Sequence, residues 1–161
     1  MRRFLKYWLP VLIWSGVIFI GSTSVLSAEH TSRYAVPFLV WLKPGMSPTT
    51  MWTIVVIARK CAHVSEYAVL ALLLWRALRS VPALRTKTLM VFGAVLVGCS
   101  VFAASDEFHQ TFVKSRTPSV RDVLLDVAGA LLGLLIAASF ARRHPKRFRG
   151  TSHSELLDAQ L

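Results

Sequence analysis

Acidic residues are scarce in this chain: eight Asp and Glu stand against nineteen Lys and Arg in 161 residues. Charged residues of every kind reach only 17%, while 54% are hydrophobic. A soluble domain of this size could bury a core, but it would not need so many long apolar runs. Cysteine is scarcer still. Cys61 and Cys99 are the only two, and their spacing forms neither a metal nor a redox motif, so no disulfide framework is available. Both fall inside apolar runs, where burial is the expected fate. Internal repeats are also missing, and with them the inverted halves on which secondary transporters are commonly built.

What fills the chain instead is long apolar runs. Crossing the hydrocarbon of a bilayer takes about 20 mostly apolar residues as a helix. Four stretches approach that length, at 7–26, 54–75, 88–108 and 120–141. Open sheets are excluded there, because lipid leaves edge amides and carbonyls unsatisfied. The expected fold is therefore an all-α integral membrane protein, an antiparallel bundle of four transmembrane helices. The N-terminus imitates a signal peptide, with a basic start, an apolar core and small residues near Ser22–Ala28, but Leu26 suits cleavage poorly and the segment reads as an uncleaved anchor. Between the first two spans, "RYAVPFLVWLKPGMSPTTMW" is too short and too broken by proline to span. Trp41 and Trp52 suit an interfacial helix or a re-entrant turn at headgroup level.

The net charge of +11 raises nucleic acid as a partner, but its distribution argues for a membrane. Arg2, Arg3 and Lys6 precede the first span, Arg76, Arg79, Arg85 and Lys87 separate the second from the third, and Arg142, Arg143, Lys146, Arg147 and Arg149 follow the fourth. Twelve of nineteen basic residues thus fall on one side, whereas the 27–53 loop holds only Arg33 and Lys43. Excess Lys and Arg mark cytoplasmic segments, so both termini are expected inside. The resulting plan is a basic cytoplasmic N-terminus at 1–6, a membrane domain at 7–141, and a basic, disordered cytoplasmic tail at 142–161. The basic ends would lie against anionic headgroups.

Against that background, ionisable groups collect on the other side. Glu66, Asp106, Glu107, Asp122 and Asp126 are five of the eight acids, and Arg59, Lys60, Lys114, Arg116 and Arg121 accompany them. Helical spacing sharpens the cluster. Arg59, His63 and Glu66 share one face of the second span, as do Asp106, His109 and Gln110 on the third. On the fourth, Asp122, Asp126, Gly129 and Gly133 form a single stripe, and its glycines admit a close-packed backbone. A charge at the bilayer centre costs about 2.5–3.5 kcal/mol on insertion scales, so such groups are candidate functional sites.

Several roles fit this inventory. Arg59, Lys60, Arg116 and Arg121 can hold a phosphate or carboxylate, with Gln110, Asp122 and Asp126 beside them. His63 and His109 can move protons, oriented by Glu66 and Asp106. His63, Glu66, Asp106 and His109 are also ligand types for a divalent metal, although nearby cations oppose one. A proton relay in a transporter component is a further reading. The structural alternative is an ion-pair network, such as Arg59 with Asp122 or Glu66 with Arg121, that fixes helix order or assembles a partner. Ser65, Ser105 and Ser115 sit in no nucleophile motif and read as helix or cap serines; His30, His144 and His153 read as solvated or interfacial.

Three stretches carry a resemblance. "RKCAHVSEYAVLALLL", "SDEFHQTFVKSRTPSVRDVLLDVAGALLG" and "FIGSTS" are similar to the VanZ-like membrane proteins over roughly residues 8–140. The shared pattern is R-K-x-x-H-x-x-E-Y, then D-E-x-H-Q-x-F-x-x-x-R, then R-D-x-x-x-N/D-x-x-G. It falls here on Arg59, Lys60, His63, Glu66 and Tyr67, on Asp106, Glu107, His109, Gln110, Phe112 and Arg116, and on Arg121, Asp122, Asp126 and Gly129. The resemblance implies a multi-pass protein of a bacterial plasma membrane, with a link to glycopeptide (teicoplanin) resistance but no defined reaction. The expected function is recognition, with or without modification, of an anionic lipid or lipid-linked cell-envelope precursor at the outer leaflet.

Overall fold

The computed structural model describes residues 2–23, 28–112 and 119–143, apart from the side chains of 28–31. Five α-helices follow one another: α1 Arg2–Ser22, α2 Ala28–Leu42, α3 Pro48–Arg79, α4 Thr88–Gln110 and α5 Val120–Arg143, with a 3₁₀ turn at Pro82–Leu84 between α3 and α4. No strand occurs among the described residues. Helices α1, α3, α4 and α5 are long and apolar enough to cross a membrane. The tail beyond Arg143 and the loop carrying Lys114, Ser115 and Arg116 lie outside the described residues.

Two helices extend beyond the apolar runs that announce them. Helix α1 starts at Arg2, before the apolar run that opens at residue 7, and α3 starts at Pro48, before the run that opens at 54. Hydropathy locates only the apolar part of a helix, while capping decides where the helix starts. Ser47 caps α3: its Oγ accepts from the Thr50 amide at 3.2 Å, and Pro48 follows at the first helical position. Just before it Gly45, at φ +84°, turns the chain in a conformation that side chains disfavour. The first half of the Pro-containing segment belongs to α2, a continuous 15-residue helix through Pro37, and the chain then turns at Gly45 into α3. At 15 residues it is too short to span.

Helix α3 is the axis of the bundle, and α5 is its most intimate neighbour. A Cβ on Gly129 would overlap the Val64 backbone, and one on Gly133 would overlap that of Ala68. The glycine stripe of α5 therefore lies directly on α3, at a separation no side chain would permit. Tyr67, Leu70, Val91, Val95, Cys99 and Leu134 fill the interior, while Leu12, Ile13, Val97, Val101, Leu132 and Leu135 face outward. An exterior this apolar suits lipid and would aggregate in water. Cys99 is buried as expected, but Cys61 is exposed on α3.

At one end of the bundle α1 starts and α3 finishes: Arg76 donates to the Lys6 carbonyl at 3.4 Å and lies over the Tyr7 ring, 5.1 Å from its centroid. The other end gathers the last turns of α1 and α4, the first half of α3 and the start of α5. That is where the polar cluster sits.

Candidate functional site

The close α3–α5 seam brings two residue pairs together. Lys60 Nζ lies 3.2 Å from Asp122 Oδ1, a half-exposed ion pair. One turn deeper, His63 Nδ1 meets Asp126 Oδ1 at 3.2 Å, with Asp126 fully buried. An ionised Asp126 only accepts, which places the imidazole hydrogen on Nδ1 and leaves Nε2 to accept or take up a proton. The glycines make this pair: Gly129 lies one turn beyond Asp126 and sets how near the carboxylate comes to α3.

A second group joins α1 to α4. Ser22 Oγ donates to Asp106 Oδ2 at 2.7 Å, Gln110 Nε2 donates to Ser22 Oγ at 2.6 Å, and Gln110 also reaches Asp106 Oδ2 at 3.3 Å. All three residues are buried. Gln110 stands one turn after Asp106, so α4 presents both to the same serine. Trp14 fixes α1 further by donating from Nε1 to the Glu66 carbonyl at 2.9 Å. At the α4–α5 junction, Glu107 Oε2 accepts from the Ser119 amide at 2.8 Å, just before α5 begins.

Between α1, α2, α3 and α4 lies a cavity of about 260 Å³. Ile18, Ala35, Val55, Ala58 and Ala62 give it apolar walls, and Ser22, Arg59, His63, Glu66 and Asp106 give it polar ones. Four of the residues singled out in the sequence thus share one lining: Arg59, His63, Glu66 and Asp106. Arg59 lies in the combined field of Asp122 and Glu66. Such a lining can grip a charged or polyhydroxy group while leaving hydrocarbon chains in lipid.

The other candidates stand elsewhere. Lys60, Asp122, Asp126 and Gln110 brace the site from outside the lining. Glu107 secures the start of α5. Arg121 is exposed and does not line the cavity. Arg116 lies outside the described residues.

The histidine partnerships differ from those expected. His63 is held by Asp126 rather than Glu66. Asp106 is engaged by Ser22 and Gln110, while His109 packs against Phe19 with the rings tilted by 43° and 4.6 Å between centroids, and its buried Nδ1 has no hydrogen-bond partner among the described residues. The reason is register: along α4, Asp106 and Gln110 meet Ser22 at the end of α1, while His109 lies against Phe19, about one turn earlier on the same helix. Among the described residues no group of three or more His, Cys, Asp or Glu side chains is placed to hold a metal ion.

Sequence reasoning missed Ser22, Trp14 and Phe19, all on α1. The available signal was the polar ending "GSTS" on an otherwise apolar span, within a stretch that already carried the family resemblance.

A family model described as VanZ/LLP1 matches residues 7–141, which covers the four long helices and both polar groups. Comparison with curated proteins and with solved structures gives no match. The matched region includes every motif quoted from α3, α4 and α5, and the chain is a multi-pass helical membrane protein of the VanZ/LLP1 family.

Proposed function

We propose that the protein recognises the phosphate-bearing headgroup of an amphiphile, an anionic lipid or a lipid-linked cell-envelope precursor, in the cavity between α1, α2, α3 and α4. One observation carries this reading: Arg59, His63, Glu66 and Asp106 line a single cavity whose remaining walls are apolar. Arg59 supplies the planar donors that suit a phosphate. The basic end of the bundle supports a cytoplasmic placement of both termini and the tail. The cavity end then faces the outer leaflet of a bacterial plasma membrane, at a depth a headgroup reaches.

His63 is the group suited to proton transfer, because Asp126 fixes its tautomer and orientation. Turnover lost with binding retained in His63→Ala marks an enzyme; no turnover in the wild type marks a binding protein. Any role in glycopeptide (teicoplanin) resistance runs through the same site, and comparing the susceptibility of cells carrying wild-type or Arg59→Ala protein tests it.

Native mass spectrometry of delipidated protein in mild detergent tests the binding claim. Phosphatidylglycerol is expected to form a retained adduct and dioleoylglycerol, which lacks the phosphate, none. Arg59→Ala should lose the adduct while keeping its melting temperature. Equal retention of both lipids, or no adduct at all, overturns the reading.

A second reading has its own support. Asp106, Glu107, Asp122 and Asp126 each bridge to a different segment of the chain. A purely structural network predicts that every substitution in the cluster lowers stability and none changes ligand retention.

A further inference from the structure

Charge also gathers at the end of the bundle opposite the cavity, where α1 begins beside the last turn of α3. Two cations converge there on one ring. Arg76 Cζ lies 5.1 Å from the Tyr7 ring centroid, and Lys6 Nζ lies 5.7 Å from it. Arg76 Nη2 also donates to the Lys6 carbonyl at 3.4 Å, which ties the two helices together. That bond uses one of the several N–H donors a guanidinium carries.

Both cationic side chains are exposed, and neither meets a carboxylate among the described residues. The acids whose side chains are described, Glu66, Asp106, Glu107, Asp122 and Asp126, all belong to the cavity end. A ring face attracts a cation but carries no net charge, so the two positive charges at Tyr7 stay unneutralised.

The surface beside them is apolar. Phe4 stacks on Trp8 one turn along α1, with centroids 6.1 Å apart and planes 20° from parallel. Phe4, Leu5 and Leu9 are exposed, while Trp8 is half-buried against the core. Cations above an aromatic and aliphatic strip match a phospholipid in the same order, phosphate above and hydrocarbon below.

We propose that Lys6 and Arg76 form a docking site for an anionic phospholipid, whose phosphate neutralises both cations while its acyl chains lie along Phe4 and Trp8. The lipid must carry net negative charge, because a zwitterionic headgroup brings its own cation to the phosphate. The apolar strip favours a lipid over free phosphate. This site shares no residue with the cavity and stands or falls independently of it.

Detergent strips a lipid held on an open surface, so the test belongs in a bilayer. The full chain is reconstituted into dioleoyl phosphatidylcholine vesicles. Each preparation carries a trace of phosphatidylglycerol or phosphatidylcholine with a diazirine near the glycerol end of one acyl chain. After photolysis and peptide mapping, phosphatidylglycerol should label residues 4–9 about fivefold more than phosphatidylcholine, the scale of one basic residue at an anionic surface. Lys6→Gln with Arg76→Gln should bring that ratio below about twofold. Arg76→Lys keeps the charge and should keep most of the ratio. Arg142→Gln with Arg143→Gln removes the same charge from the same end and should leave the ratio in place, as should Arg59→Ala.

Equal labelling of residues 4–9 by the two lipids overturns the proposal and leaves the cations to water or to an acidic protein segment. A ratio lost equally in both double variants overturns it too, because diffuse attraction then accounts for the preference. Inorganic phosphate that abolishes the ratio, when chloride of equal ionic strength does not, makes a free anion the occupant instead. The wild-type ratio and the phosphate competition need no variant, so the test survives poor folding of any substituted chain.

Discussion

Arg2, Arg3, Arg85, Lys87, Arg142 and Arg143 are all exposed at one end of the bundle, whereas Asp106, Glu107 and Asp126 at the other end are buried. The exposed cations rely on water and headgroups, while the half-buried Arg79 near them donates to the Thr88 hydroxyl at 2.8 Å and lies 5.4 Å from the Trp75 ring centroid. The buried acids have no such reserve. Each engages a partner on another segment, at distances between 2.7 and 3.2 Å. Solvent access explains the difference: an exposed charge costs little wherever it points, while a buried one persists only where its partner is already in place. One end can thus be edited freely and the other cannot.

The sharpest way to break the contrast is through the seam that builds the buried end. Gly133→Val forces side-chain atoms into the Ala68 backbone. It should cost about 3 kcal/mol, the upper part of the overpacking range, and appear as a large fall in detergent melting temperature and monodisperse yield. An unchanged melting curve would remove the close α3–α5 approach.

Asp126→Ala comes next. It leaves His63 Nδ1 without its acceptor and should cost about 2 kcal/mol. A double-mutant cycle with His63→Ala should return a coupling above about 0.5 kcal/mol, because the two touch; additive losses would mean they act separately. Ser22→Ala removes one hydroxyl serving both Asp106 and Gln110 and should cost about 1 kcal/mol, measured as denaturation in mixed micelles. Lys60→Gln breaks a half-exposed ion pair and should fall below about 1 kcal/mol. Smallest of all, Arg142→Gln with Arg143→Gln should leave stability within about 0.5 kcal/mol and alter only the fraction of correctly oriented protein, read by cysteine accessibility. A large stability loss there would erase the distinction between the two ends.

Much of this was legible in the sequence, for identifiable reasons. Long apolar runs announce spanning helices because lipid permits little else. The Asp122–Asp126–Gly129–Gly133 stripe announces a packing face because spacing and residue size agree. What spacing along one helix cannot supply is the partner. Ser22 and Asp106 lie 84 positions apart, and nothing in either helix says that they meet. Asp126 and His63 are 63 apart, and Glu66, closer in sequence, was the natural but incorrect choice of partner for the histidine. Cys61 shows the same limit from the other side: an apolar neighbourhood in sequence does not say which face of the helix a residue occupies.

Helix α3 has 32 residues, about 48 Å at 1.5 Å per residue, against a hydrocarbon layer of about 30 Å. It must tilt, protrude or thin the bilayer around it. About 20 residues cross that layer, so with Arg76 set at one boundary the other would fall about one turn before Arg59, at the rim of the cavity that Val55 and Ala58 line. A thicker bilayer draws that rim into hydrocarbon and a thinner one lets water reach His63. Acyl-chain length thereby becomes a dial on the hydration of the site, so reconstitution in short- and long-chain lipids would change its affinity with no residue altered.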